Sequence, residues 1–258
     1  MKNYPTNQER TAEYLEKFDR ERTLKYLIEC NRPVIFDVGA NVGSTLDEFK
    51  LWWPDSEVHC FEPQQECWES LEQRAGKYAP ADVVINRFAA GSAPNDQAPF
   101  YSHDISSGIS GFNRINLQSR DSVHLNRLIE SDPRGLPEYE QSLNHERSVK
   151  IVRLNDYLNT SGIQRVHLLK IDTQGYEPEV LEGFGARLAD VDVVITELMF
   201  YDYYERSLSF SDIERFLLPA GFHLYDISHI AKNPMNGRTD WVDVIYVNNR
   251  IRTGGRRA

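Results

Sequence analysis

Four groups of residues have the types and spacing to do chemistry. The first is Asp37-Val38-Gly39-Ala40-Asn41-Val42-Gly43, which follows an apolar burst and opens a helical pattern. Glycines at such a place let the backbone approach a ligand and take turn conformations closed to other residues. The amides of a helix N-terminus favour a negative group. The pattern is G-x-N-x-G rather than the dinucleotide fingerprint G-x-G-x-x-G, and no Lys-Ser/Thr pair of a phosphate loop follows. These glycines therefore suit a nucleoside whose pyrophosphate is absent or uncradled. The second is Glu62, 25 residues after Asp37 and at the end of the next apolar run. A carboxylate there can accept hydrogen bonds from both hydroxyls of a ribose, in the crevice of a doubly wound fold.

The third group is Asp172 and Glu197, which close the apolar runs 166–171 and 191–196. Strand ends in an open parallel sheet converge where ligands sit. Two carboxylates there can do either of two jobs. One can take the proton of an acceptor hydroxyl as general base, or both can hold a divalent cation such as Mg2+ or Mn2+ that activates and orients the hydroxyl. The fourth group is His103, beside Asp104 and ahead of Ser106-Ser107-Gly108, and His229, in a stretch read as a loop. Either can serve as a base near neutral pH, although an exposed loop histidine is the plainer reading of both. After Glu197 the run Met199-Phe200-Tyr201-Asp202-Tyr203-Tyr204-Glu205-Arg206 offers aromatic faces beside polar groups. That mixture suits a sugar, or else a helix start packing its rings into the core.

The elements that must position these groups alternate. Val34 to Val38, Glu57 to Phe61, Asp82 to Phe88, Val166 to Ile171 and Val191 to Thr196 read as strands. Residues 44–53, the stretch after Pro63, Pro178 to Phe184 and Ser211 to Leu218 read as helices between them. Alternation of this kind argues for a parallel sheet covered on both faces. Phe222 to Ile227 and Val242 to Val247 are the last strands, and the helix-free connection 228–241 favours an antiparallel hairpin. Residues 8–29 read as one charged helical stretch in which Leu15, Phe18, Leu24, Leu27 and Ile28 form an apolar stripe that stops at Asn31-Arg32-Pro33. Residues 92–147 break the rhythm with Ser, Asn, Asp, Arg and Gly, as an inserted functional segment would. The expected organisation is an N-terminal helical extension over 1–31, one α/β domain over 32–249 with 92–147 as a lid, and a basic tail over 250–258.

Composition narrows the function. The 258 residues carry 29 Lys and Arg against 39 Asp and Glu, a formal net charge of −10, which weighs against a nucleic-acid partner. A hydrophobic content of 40% and a mean hydropathy of −0.54 fit a water-soluble chain. No apolar run approaches the roughly 20 residues of a transmembrane helix, and Met1 to Arg10 has no apolar stretch of the kind found in a signal peptide. Three cysteines, Cys30, Cys60 and Cys67, make neither a disulfide framework nor a zinc site. Together these point to a cytoplasmic protein with reduced thiols.

The combination of Asp37 to Gly43, Phe61-Glu62-Pro63, Leu169-Lys170-Ile171-Asp172-Thr173-Gln174-Gly175-Tyr176-Glu177 and Val180-Leu181-Glu182-Gly183 resembles the FkbM-type S-adenosylmethionine-dependent methyltransferases. Leu154-Asn155-Asp156-Tyr157-Leu158 and Asp243 to Asn248 are similar to the same family. The resemblance implies a Rossmann-like class I sheet of seven strands with the last antiparallel. It also implies methyl transfer from S-adenosylmethionine to a hydroxyl. On that resemblance Gly39 to Gly43 would face the methionine part of the cofactor and Asp37 would hold its amino group through the turn. Glu62 would take the ribose, and Asn86, Ala89 and Ala90 would lie near the adenine. The placement of Asp172 and Glu197 is similar to the metal site of catechol-type O-methyltransferases. The sequence departs from the family pattern at Gln174, where Glu is usual, and over 112–147, which are longer and idiosyncratic. The expected acceptor is a sugar of a glycan or glycoconjugate. A polyketide or other small molecule is the alternative, as is a catalytically silent cofactor-binding partner of another enzyme. An oxidoreductase with a divergent dinucleotide site is disfavoured by the missing third glycine.

Overall fold

Short apolar runs bounded by polar turns give this chain its sheet. β1 (Val34–Val38), β2 (Glu57–Phe61) and β3 (Val83–Asn86) come first. β4 (Ala89–Ala90), β5 (Asn95–Ser102) and β6 (His145–Val152) follow, then β7 (Val166–Ile171), β8 (Val191–Met199), β9 (Phe222–Lys232) and β10 (Thr239–Asn248). The computed structural model describes residues 6–119, 136–234 and 236–252 of the chain. Seven strands form one sheet in the order β3-β2-β1-β7-β8-β10-β9. β3, β2, β1, β7 and β8 pair in parallel, and β10 runs antiparallel to both β8 and β9. This is the expected doubly wound α/β sheet with its last strand reversed.

Alternation along β1 feeds two cores. Phe36 and Val38 face one layer with Leu169, Ile171, Val194, Leu181 and Phe184. Ile35 faces the other with Leu168, Val193, Ile195, Leu46, Phe49 and Leu71. Every one of these side chains is at most 2% exposed, and burial at roughly 25 cal/mol per Å2 of apolar surface is what holds the layers together.

The N-terminal stretch is two helices, α1 (Asn7–Lys17) and α2 (Arg20–Leu27), rather than one. Thr6 and Glu9 form a capping box at the first, and Asp19 accepts from the Arg22 amide to start the second, so the break at Phe18-Asp19 is a cap. Leu24, Leu27 and Ile28 are buried in the second core, so this extension is part of the domain's packing.

Three expectations need correction. The third strand ends at Asn86, and Ala89 and Ala90 belong to a separate three-stranded sheet, β4-β6-β5. The segment 92–147 is partly regular, because β5 pairs antiparallel with β6 from Ser102↔His145 to Asn95↔Ile151. The stretch 228–241 is mostly strand: β9 and β10 stay paired out to Thr239↔Lys232, with register shifts absorbing the irregular spacing. β9 lies at the edge of the sheet with only Phe222 buried, and His223, Asp226, Ser228 and His229 interrupt its apolar residues. The remainder of the insertion, 120–135, and the tail from residue 253 lie outside the described residues; Arg250 within the expected tail pairs with Asp192. Among the described residues no helix is long and apolar enough to cross a membrane.

Candidate active site

The glycine turn is built by close approach. Gly39 has φ +80°, and a Cβ there would lie 1.9 Å from the backbone oxygen of Asp172, so only glycine lets the ends of β1 and β7 meet. The amides of Gly39 and Ala40 donate to the Phe61 carbonyl at 3.0 and 3.2 Å, which ties the turn to the end of β2. Gly43, also at positive φ, begins α3 (Ser44–Trp52), where a Cβ would strike Leu71 and Arg74 of α4 (Gln65–Ala75). Glu62 follows β2 directly and is 2% exposed. Its Oε2 accepts from the Asn41 amide and its Oε1 from the Gln64 amide, each at 2.7 Å. Burial pushes the Glu62 carboxyl up to about 7 against the pull of those two amides.

These residues open onto one cavity, whose empty space, counted out to open solvent, is about 560 Å3. Six of the expected residues line it: Gly39, Asn41, Glu62, Ala89, Ala90 and Asp172. It is closed by residues that sequence reasoning did not single out: Gln64, Phe100, Ser107, Gly108, Ser110, Phe112 and Thr173, together with Gln174. Ser107 donates from its hydroxyl to Asn41 Oδ1 at 2.9 Å, and Gln64 Nε2 donates to the Ser107 carbonyl at 3.2 Å. The insertion is thereby seated on the glycine turn.

Asp37, Gly43, Asn86, Glu197, His103 and His229 are not in the cavity wall. Asp37 is fully buried, and the Lys170 ammonium sits 3.2 Å from its Oδ1. Lys170 also donates to the Gly39 carbonyl at 3.1 Å and lies 3.5 Å from Asp172 Oδ2. Burial raises the Asp37 pKa and the ammonium opposes it. Burial likewise works against the charged Lys170, but Asp37 and Asp172 outweigh it and hold the lysine above its usual range. We read the group as an ion pair that braces the turn. Lys170 was legible only as a lone charge in the run Val166 to Ile171. Asn86 donates from its amide to the Cys60 carbonyl, which fixes the end of β3.

Asp172 keeps 39% of its side chain exposed at the cavity, with Oδ1 accepting from Gln174 Nε2 at 2.7 Å. The turn after it is capped by Glu177, whose Oε1 accepts from the Thr173 and Gly175 amides. Glu197 lies beyond Gln174, in a smaller space of about 260 Å3 with Tyr204 and Arg206. Burial first, then the charges of Asp172 and Asp243, push its carboxyl up to about 9. That shift favours the protonated form of Glu197. A divalent cation does not fit this pair as it stands: both Asp172 oxygens face donors, one of them an ammonium. Among the described residues no group of three His, Cys, Asp or Glu side chains is arranged to hold a metal ion.

The histidines also differ from expectation. His103 is buried, its Nδ1 accepts from the Asn144 amide at 2.9 Å, and burial pushes it down to about 4. It is a neutral strut between the ends of β5 and β6. His229 is exposed and sits in β9, paired with Asp243, rather than in a loop. The aromatic run is not an open platform: Tyr201, Tyr203 and Tyr204 pack with Ile115, Tyr139 and Leu143.

A sequence model of the Methyltransferase FkbM domain matches residues 37–224, which span the glycine turn, Glu62, Asp172 and Glu197. The chain belongs to the FkbM methyltransferase family. It is 27% identical over 188 residues to 2-O-methyltransferase NoeI of Sinorhizobium fredii, covering 72% of each chain. It is 29% identical over 177 residues to 31-O-demethyl-FK506 methyltransferase FkbM of Streptomyces tacrolimicus, covering 66% of each. Among solved structures, Methyltransferase FkbM from Methylobacillus flagellatus is 13% identical with a TM-score of 0.49, over 84% of this chain and 44% of that one.

Proposed function

We propose that this protein moves the methyl group of S-adenosylmethionine onto a hydroxyl oxygen, with Asp172 as general base and a sugar of a glycan or glycoconjugate as acceptor. The observation that carries the reading is that Glu62 and Asp172 share one cavity with the glycine turn between them. The residues fit the cofactor: Gly39 lines the cavity without a side chain, and Glu62 presents a buried acceptor on the same wall. When bound, S-adenosylmethionine supplies a sulfonium methyl open to in-line attack. Glu62 takes the ribose hydroxyls, while its bonds to the Asn41 and Gln64 amides keep it aimed. Ala89 and Ala90 leave flat apolar room for the adenine. Asp37 acts at one remove, by holding Lys170 on the Gly39 carbonyl.

Asp172 accepts the proton of the acceptor hydroxyl. Lys170 lies 3.5 Å from that carboxylate, and the segment around Ser107 to Phe112 closes the cavity as a lid and excludes water. Most of the rate gain then comes from alignment of oxygen and methyl. Ser107 and Ser110 line the same cavity as Phe100 and Phe112, a mixture of polar and aromatic residues that suits a ring carrying several hydroxyls. The name of the NoeI relative, a 2-O-methyltransferase, supports oxygen as the atom methylated. The name of the Streptomyces relative favours a second reading, a polyketide hydroxyl.

The test is Asp172→Asn, assayed for S-adenosylhomocysteine release with glycan and polyketide acceptor panels. Turnover should drop about 10²–10⁴-fold with cofactor affinity unchanged. Normal turnover would refute the base, and cofactor binding without turnover on any acceptor would favour a silent partner protein.

A further inference from the structure

We infer that Gln174 is the positioning residue that holds the Asp172 carboxyl in place at the cavity, with its amide locked between Asp172 and Tyr204. The inference rests on the reading of Asp172 as base. Gln174 Nε2 donates to Asp172 Oδ1 at 2.7 Å, and Gln174 Oε1 accepts from the Tyr204 hydroxyl at 2.7 Å. The same hydroxyl lies 2.9 Å from the Ile109 carbonyl, in the segment that closes the cavity. The Gln174 backbone is held too: φ is +56°, its carbonyl accepts from Asn113 Nδ2 at 3.1 Å, and Gly111 packs against its Cβ.

The sense of the amide carries the chemistry. Turned the other way, it would set an oxygen against Asp172 Oδ1, an arrangement that requires a proton on Asp172. The amide as placed gives Asp172 Oδ1 a donor. It works alongside Lys170 of β7 and against the carboxyl groups that feel the charge of Asp172: Asp37 of β1, Glu177 of the helix Glu177–Phe184, Glu197 of β8 and Asp243 of β10. The phenol of Tyr204 also faces Asp172, and Arg20 of α2 acts on Asp37, Asp243 and Lys170. Among so many acids a neutral donor on Oδ1 fixes the carboxyl without adding a further charge. A Glu at this position would set a second carboxylate against Asp172 Oδ1.

The test compares pH profiles of kcat/KM for wild type, Gln174→Glu, Tyr204→Phe and Asp172→Asn, with circular dichroism and cofactor calorimetry as controls. In Gln174→Glu two carboxylates hold one proton between them, so the acid limb should move up by about one pH unit or more, a tenfold loss on that limb that recovers at high pH. Tyr204→Phe should lower kcat up to about tenfold by freeing the amide, with cofactor affinity retained. If Gln174→Glu does not fold, Gln174→Met removes the same donor and should move the limb in the same direction. A Gln174→Glu profile that overlays wild type, or that falls equally at every pH, overturns the inference while an inactive Asp172→Asn leaves the base in place. An active Asp172→Asn refutes the base itself.

Discussion

Glu62 gives the sharpest quantitative expectation. It is 2% exposed, with one amide on each oxygen, and burial lifts its carboxyl from an ordinary 4.5 to about 7 in the cofactor-free protein. Only the ionised form offers acceptors to both ribose hydroxyls while still serving the Asn41 and Gln64 amides. A raised pKa means the protonated form gains below it, so affinity for S-adenosylhomocysteine should weaken about tenfold per pH unit as pH falls below about 7. Glu62→Gln keeps the shape but turns one oxygen into a donor facing another donor. Losing one charge-assisted bond of about 1.5–3 kcal/mol corresponds to a roughly 10- to 150-fold weaker complex at pH 8. The variant has nothing to titrate, so its affinity should stay flat between pH 5.5 and 8. Calorimetry across that range reads both effects. A flat wild-type profile together with an unchanged Glu62→Gln affinity would refute the ribose assignment.

Two further outcomes follow from the same geometry. Glu197, lifted to about 9, keeps its proton where the unfolded chain has already shed it, so it costs stability increasingly as pH rises from about 4.5 towards 9. Glu197→Gln should therefore gain up to about 3 kcal/mol against urea at pH 7 and nothing at pH 4, and a pH-independent gain would show that the carboxyl is solvated. Gly39→Ala puts a Cβ 1.9 Å from the Asp172 oxygen at a positive φ, so melting should show a loss of about 1–3 kcal/mol and calorimetry a lost cofactor site; unchanged values in both would mean that β1 and β7 can separate there freely.

The sheet was legible because buried strands such as Val34–Val38 and Val166–Ile171 are short, apolar and bounded by turn residues. The full length of β9 is hard to read because His223, Asp226, Ser228 and His229 interrupt its apolar residues, and α1 and α2 read as one helix because one apolar stripe runs through the Asp19 cap. In the site, Glu62 and Asp172 could be read because each ends a strand beside a turn whose spacing is itself informative. The reach of Ser107 and Phe112 over that turn depends on β5 and β6 pairing across 42 residues of chain, from Ser102↔His145, which no local pattern reports. His103 misled for a physical reason: beside Asp104 in a polar stretch it looks solvated, but it packs inward against the Asn144 amide. Lys170 was passed over because its partners, Asp37 and the Gly39 carbonyl, lie more than 130 residues away in the chain.

A crystal structure of the protein soaked with S-adenosylhomocysteine tests the central claim most directly. The account predicts the ribose hydroxyls on Glu62, the adenine against Ala89 and Ala90, and the sulfur turned towards the side of the cavity that holds Asp172. The nucleoside bound elsewhere, or a Glu62 still facing only the Asn41 and Gln64 amides with the cofactor in place, would contradict it.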